Sequence, residues 1–412
     1  MDGKVSERNL SLRWRRPDPR PEKTERGLLA RRSPWAKSGS VSKNPPARLR
    51  GLLPNINYAG QAQVFSNTYY GMEDISPNKI KININDSRTV FATPGISLLQ
   101  ALKEENIFVS SACGGRGICG LCRLRVLEGA PETLTPQELA HLGSAEQQDN
   151  FRLACQITLK RGLRVLIPES FFNAREFRAT VAEIRDLTHD IKEIRLQLQS
   201  PQSISFKSGQ YIQLRIPPYA GSKRIAYRTY SIASPPLENT VIELEVRRVP
   251  NGLGTTYIFE HLKKGDNIAF NGPHGNFFLR ENDNPIVMIA GGSGMAPIKS
   301  MLGDMRGRKI RRKIRYFFGA RTPSDIFYAD LMSSLETALP DFHFIPAVSD
   351  VLPGENWPGE TGLVTEVVER HLEEGFQGEA YLCGSPAMID ACLKILQQKK
   401  VPMERIYYDK FA

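Results

Sequence analysis

The chain has 412 residues, of which 41% are apolar and 24% charged, with a formal net charge of +11. That length predicts two to three domains at about 150 residues each, and the composition is that of a globular protein rather than a small stapled scaffold. No stretch reaches the roughly 18 uninterrupted apolar residues of a membrane-spanning helix, and the positive charge is local: residues 1–50 hold fourteen Lys and Arg against five Asp and Glu.

Residues 1–76 read as a disordered basic tail. Paired arginines (Arg15, Arg16, Arg31, Arg32), scattered prolines and almost no apolar periodicity leave nothing to offset the entropy of ordering. A basic arm for anionic lipid or nucleic acid and a transit peptide are competing readings, and the five acidic residues argue against the second. No nucleic-acid partner is expected. Met72 stands just before the first convincing fold signal.

A domain over residues 77–170 opens with the polar–apolar alternation of Lys79–Ile84, a half-buried strand, with a hairpin partner at Thr89–Phe91. Ser97 and Gln100 have the spacing of a capping box before a helix lined by Leu98, Leu99 and Leu102. A glycine-rich loop follows, then strand 123–127, a short helix opened by Thr135–Pro136, and strands near 153–159 and 163–167. The pattern is a compact α+β module.

Four of the six cysteines, Cys113, Cys119, Cys122 and Cys155, are spaced C-x5-C-x2-C with a distant fourth. Structural zinc sites pair two C-x2-C knuckles. Three thiols in one loop and a fourth from afar lie closer to the plant-type 2Fe-2S layout, with one residue inserted. Gly114, Gly115, Gly117 and Gly120 suit a loop whose backbone amides must approach sulfur. Zinc, or four unrelated thiols, are the competing readings.

A second domain, 175–282, is a run of short alternating strands between Gly and Pro turns, as in an antiparallel barrel or sandwich. Within it Arg228-Thr229-Tyr230-Ser231 offers a forked cation, a ring and a hydroxyl, the groups a flavin nucleotide uses; a packed edge strand is the bland alternative. Gly252-Leu253-Gly254-Thr255-Thr256 opens a helix and offers a phosphate cradle, or an ordinary cap at Thr255. From 283 to 412 strands and helices alternate strictly, which predicts a doubly wound parallel sheet. There Gly291-Gly292-Ser293-Gly294-Met295-Ala296-Pro297 follows a buried strand and opens a helix, with Pro297 in place of the third Rossmann glycine. Cys383-Gly384-Ser385-Pro386 marks a second strand-to-helix turn on the same carboxyl edge. Arg321 ends the second strand of this domain, where it could meet a 2′-phosphate, and Arg308–Lys313 reads as a solvated basic face.

In that order these motifs resemble the reductases that fuse an N-terminal ferredoxin to a ferredoxin-NADP reductase-like pair of domains. The likeness is strongest to the F-subunit of the sodium-translocating NADH:quinone reductase, through Ser110–Gly115, Arg152–Gln156 and Glu355-Asn356-Trp357. The chain departs from that relative in lacking its N-terminal membrane helix and in the short segment 219–227. The resemblance implies a β-grasp ferredoxin, an FAD barrel and a Rossmann-like NADH domain. It implies that the four cysteines hold a 2Fe-2S cluster and that Arg228, Thr229, Tyr230 and Ser231 contact FAD, with Gly252, Thr255 and Thr256 at its pyrophosphate. Gly291, Gly292, Gly294, Pro297 and Gly384 would line NADH, and Cys383 the nicotinamide, while Phe411 would cover the flavin. Ser231, Cys383 and Phe411 are then the candidate catalytic residues.

The expected activity is an electron relay from NADH to FAD to the cluster and on to an external protein or quinone acceptor. Localisation is expected to be cytoplasmic, with peripheral membrane contact left open. The alternatives are the sodium pump's own NADH-oxidising component and, from a different class, an iron-sulfur redox sensor that holds nucleic acid with its basic arm.

Overall fold

A computed structural model describes residues 79–411 except 221, 224 and 352–356. The tail expected over 1–76, and Glu355-Asn356 of the resemblance, lie outside the described residues. No helix among the described residues is long and apolar enough to cross a membrane.

The alternation read at the start becomes β1 (Ile80–Ile84), which pairs with β2 (Arg88–Ala92) through a three-residue turn whose Asn85 and Asp86 are both left-handed, a conformation that Asn and Asp tolerate. The helix α1 (Leu98–Glu104) is capped by Ser97, but the Gln100 side chain turns forward to Glu104, so only half of the expected capping box forms. Strand β3 (Arg123–Glu128), helices α2 (Pro136–His141) and α3 (Ser144–Gln148), β4 (Phe151–Leu153) and β5 (Leu163–Leu166) complete the module. Its sheet runs β2-β1-β5-β3-β4, over a core that includes Ile82, Leu98, Leu124 and Val165. The strand predicted over 153–159 is instead β4 followed by a 3-10 turn, Ala154–Gln156, whose Ala154 N–H bonds the Cys122 carbonyl. That bond turns Cys155 back towards the glycine loop.

The second module is a six-stranded antiparallel barrel: β6 (Arg175–Asp186), β7 (Ile191–Ser200), β8 (Tyr211–Ile216), β9 (Ala226–Ser231), β10 (Val241–Arg247) and β11 (Asn267–His274). The order is β10-β7-β6-β11-β8-β9, and an Ile232–Leu244 bridge with the Ala233 N–H to Glu243 carbonyl bond closes the last strand on the first. Closure matters because it removes sheet edges and fixes β9 against β10. Helix α4 (Leu253–Thr256) runs on into a π-helical turn, Tyr257–His261.

The third module is the predicted doubly wound sheet, all parallel: β12 (Ile286–Gly291), α5 (Met295–Arg308), β13 (Ile314–Ala320), α6 (Ala329–Ala338), β14 (Phe342–Val348), β15 (Glu360–Thr361), α7 (Val364–His371), β16 (Glu379–Gly384), α8 (Pro386–Gln398) and β17 (Ile406–Lys410). Its order, β15-β14-β13-β12-β16-β17, reverses direction between β12 and β16, which opens a ligand crevice at their carboxyl ends. Two elements depart from the sequence reading. The helix expected from Ser324 begins at Ala329, because Thr322 and Asp325 cap a 3-10 turn first. The final strand β17, with its mixed Tyr-Tyr-Asp-Lys sequence, carries no clear strand signal and is held by pairing with β16.

Candidate redox site

The glycine loop gathers the thiols. Gly114, Gly115, Gly117 and Gly120 all have positive φ. At two of them the lack of a side chain is also required by space. A Cβ on Gly117 would lie 2.7 Å from the Gln156 amide and one on Gly120 2.9 Å from the His141 ring. Those contacts let α2 and the Cys155 turn close over the loop. The Cys113 and Cys119 sulfurs stand 3.4 Å apart, Cys122 lies near enough to Cys155 to shift its titration, and all six cysteines are free.

The four thiols differ in their electrostatics. The Cys119 thiol donates to Cys113 and, with loop amides of Cys119, Ile118 and Arg116, lowers its pKa to about 4. Cys122 does the same for Cys155, helped by the Gln156 side chain and the Gly117 amide, and lowers it to about 7. The donating partners Cys119 and Cys122 are pushed up correspondingly. Among the described residues no three His, Cys, Asp or Glu side chains meet as a single metal ion requires. Two thiol pairs ringed by amides fit a two-iron cluster, which takes two thiolates per iron.

Behind the loop a buried ion pair sets α2. Arg152 grips Glu138 through Nε and Nη2, at 2.8 and 2.9 Å, and Glu138 also accepts the Leu153 and Thr135 N–H groups. Burial alone would raise the Glu138 pKa, but Arg152 and these amides hold it below the usual value. Sequence reasoning missed Glu138, although Thr135-Pro136-x-Glu138 is a full capping box.

Strand β9 carries the flavin motif. Arg228 and Tyr230 share one face, Thr229 and Ser231 the other, where their cross-strand partners are Gln213 and Tyr211. A Cβ on Gly254 would lie 2.6 Å from Arg228 Cγ and 3.3 Å from the Tyr230 hydroxyl, so this glycine, absent from the expected flavin contacts, lets α4 approach both. The Thr255 hydroxyl is engaged within its own loop, by Val249 and the Gly252 carbonyl. Thr255 is the third residue of α4, whose N-terminus at Gly252 carries no side-chain cap, so the ordinary cap of the two readings does not form. Arg228 donates to the Tyr227 carbonyl and, at 3.4 Å, to the Ala112 carbonyl beside Cys113.

The crevice of the third module brings together Gly291, Gly292 and Gly294 with Cys383 and Gly384, since Ala290 pairs with Cys383. A Cβ on Gly294 would sit 2.2 Å from the Cys383 carbonyl, so α5 packs there only with glycine. Pro297 is buried in the first turn of α5. A cavity of about 310 Å³ is lined by Gly291, Gly292, Gly319, Arg321 and Ser385 and, from the barrel, by Asp190 and Arg247. Arg247 leans over Gly292 while paired to Asp190 at 2.7 Å. Sequence reasoning missed Arg247 and Asp190 as well, since an Arg pair ending a strand reads as solvated. An adjoining space of about 300 Å³ adds His189, Thr322, Ser324 and Asp325.

Where the modules meet, burial pushes the Cys383 thiol well up. Its neighbour on β17, Asp409, is pushed by burial to about 6, and the Phe411 N–H bonds the Gly384 carbonyl. The half-buried Phe411 ring packs on the core of the parallel sheet. Glu245 on β10 is buried with neither carboxyl oxygen hydrogen-bonded, and is paired at 3.9 Å with Lys299, whose ammonium bonds Glu193, Glu243 and Tyr328. Burial, opposed by the Lys299 charge and reinforced by Glu193 and Glu243, pushes Glu245 up to about 8.

Three family models match the chain: a 2Fe-2S iron-sulfur cluster binding domain over residues 82–160, an oxidoreductase FAD-binding domain over 178–279 and an oxidoreductase NAD-binding domain over 288–394. The F-subunit of the Na(+)-translocating NADH-quinone reductase of Methylococcus capsulatus is 34% identical over 379 residues, covering 82% of this chain and 93% of that protein. Its counterpart in Neisseria gonorrhoeae is 35% identical over 382 residues, with 82% and 93% covered. Among solved structures, the Amycolatopsis cytochrome P450 reductase GcoB aligns with a TM-score of 0.67 at 29% identity, over 81% of this chain and 98% of that one. The ferredoxin reductase in carbazole 1,9a-dioxygenase aligns at 0.63 and 26%, with the same coverage.

Proposed function

The chain belongs to the family of the Na(+)-translocating NADH-quinone reductase F-subunits, and on that premise we propose which residues carry its electrons and what receives them. It is an NADH oxidoreductase dependent on FAD and a 2Fe-2S cluster. When bound, these groups convert a two-electron hydride into single electrons for an external acceptor.

Each module has its own task. Cys113 and Cys119 would ligate one iron, Cys122 and Cys155 the other, with the Arg116–Leu121 amides tuning the sulfurs. Arg228 and Tyr230 would hold FAD from one face of β9, with Ser231 on the other side and α4 against them at Gly254. The Gly291–Gly294 turn and Arg247 would take the NADH diphosphate, Arg247 exchanging Asp190 for it. Cys383, Asp409 and Phe411 would close the nicotinamide site against water. The observation that carries this reading is the two thiol pairs standing beside β9, tied to it through Arg228.

The acceptor is proposed to be an oxygenase or other redox protein, a reading supported by the likeness, over 81% of this chain, to reductases named for a cytochrome P450 and a dioxygenase. The second reading is the NADH-oxidising component of a sodium-translocating quinone reductase, supported by the match over 93% of such chains. The protein would work in the cytoplasm, with peripheral contact to the membrane in the second case. Anaerobic NADH titration of the reconstituted chain, followed by flavin bleaching and by paramagnetic resonance of the cluster, tests the relay. A bleached flavin beside an oxidised cluster would overturn it. Turnover with a quinone against turnover with a reconstituted oxygenase separates the acceptors.

A further inference from the structure

Helix α5, which opens from the dinucleotide turn, lies on the barrel along one stripe. Lys299, Ser300, Gly303, Asp304 and Gly307 recur at the spacing of a single helix face. The Lys299 ammonium bonds Glu243 at 2.8 Å and Glu193 at 3.3 Å and pairs with Glu245 at 3.9 Å. It also donates to the Tyr328 hydroxyl at 3.2 Å, which in turn donates to Glu193. Further along, Ser300 donates to the Ser234 carbonyl at 2.7 Å and Asp304 accepts from the Ser208 hydroxyl at 3.0 Å. A Cβ on Gly303 would lie 3.1 Å from Pro235 and one on Gly307 2.3 Å from Leu237, so the helix sits flush on the segment that follows the flavin strand. The three carboxyl groups share one face of the barrel. Glu193 on β7 is the cross-strand partner of Glu245 on β10, and Glu243, Glu245 and Arg247 alternate along β10. Arg247 leans over Gly292, so β10 holds α5 in its second turn and overhangs the turn that opens it. Apolar contact adds to the seam where Ile191 joins the core of the parallel sheet, but such contact is non-directional. The ammonium between Glu193 and Glu243 has one place, and it sets the register of the helix.

We propose that Lys299 is a positioning residue for the hydride step: it fixes α5 on β10 and so holds the dinucleotide turn at a set distance from the flavin strand. This rests on the relay reading above. The step passes one hydride, with both its electrons, from NADH to the flavin and leaves NAD+, and Lys299 exchanges no proton in it. Hydride transfer tolerates little displacement, since about 1 Å of misplacement can cost about a hundredfold in rate. Losing the ammonium leaves the buried Glu193 and Glu243 carboxylates without the charge between them, and the seam relieves them by admitting water.

The test uses the full-length, FAD- and cluster-loaded protein and two readouts: amide hydrogen exchange without NADH, and the limiting rate of flavin bleaching at saturating NADH in anaerobic stopped flow. Lys299→Met is expected to speed exchange about tenfold in peptides spanning 300–308 and 243–247, to leave exchange in the cluster module as in the parent, and to slow bleaching about tenfold. Lys299→Gln, which keeps a donor without the charge, should lie between that variant and the parent. Lys299→Arg, which keeps the charge, should recover protection and rate together. Faster exchange with an unchanged bleaching rate would make Lys299 merely structural and overturn the proposal. Unchanged exchange, exchange raised throughout the chain, or recovery of one readout without the other would overturn it too. Should Lys299→Met not fold, Lys299→Gln and Lys299→Arg carry the same comparison. If the parent protein never bleaches its flavin with NADH, the relay reading fails instead.

Discussion

Single residues at the meeting of the modules are under electrostatic tension. Glu245 titrates near 8 in the folded chain, above the usual carboxylate value, so folding takes up a proton. Its contribution is therefore complete below about pH 4.5 and is lost as pH rises towards 8, at about 1.4 kcal/mol for each unit between. Glu245→Gln removes the dependence. The variant's gain in Tm over the parent should grow between pH 5 and pH 8, and a constant difference would contradict the assignment. Arg247 and Asp190 make an opposed pair of predictions. Arg247→Met should raise KM for NADH about tenfold with kcat kept, whereas Asp190→Asn should leave KM unchanged or lower it. If the two variants behave alike, the ion pair serves the barrel and not the dinucleotide.

At the scale of elements, α2 is the part whose placement matters most for its size. Its six residues lie against the cysteine loop through Gln137 and His141, and Glu138 fastens the helix to β4 through Arg152. Arg152→Met would strand a buried carboxylate, at a cost of about 3–5 kcal/mol. Chemical denaturation should show that loss, together with reduced iron content per chain. Thr135→Ala removes only the cap, costs about 1 kcal/mol and should leave the iron in place. The helix was legible as an element because Thr135-Pro136 announces a start. Its partner was not, because no local pattern says that Glu138 points inward to an arginine fourteen residues on.

Taken whole, the molecule separates its chemistries by module, and the thiols belong to one with its own core. Cys155→Ser should therefore abolish the cluster's paramagnetic signal while leaving NADH-driven flavin bleaching and dye reduction near the parent rate. Loss of both would mean that the cluster module is needed to build the flavin site. The polar contact through Lys103 and Arg228 favours the first outcome, since interfaces of that kind rarely carry a neighbour's stability.

Three modules, the parallel sheet, the thiol spacing and the glycine turns were all written in the sequence, because each depends on local periodicity or on residues with a special backbone allowance. Apolar alternation marks a half-buried strand wherever it occurs, and a loop that must present amides to sulfur needs glycine. Strand β17, the inward turn of Cys155, the pairing of Glu138 with Arg152, the burial of Glu245 beside Lys299 and the contact of Arg228 with Ala112 were decided only by tertiary structure. Each is a contact between residues distant in sequence, whose stability comes from excluding water at a place that exists only after the sheets have formed.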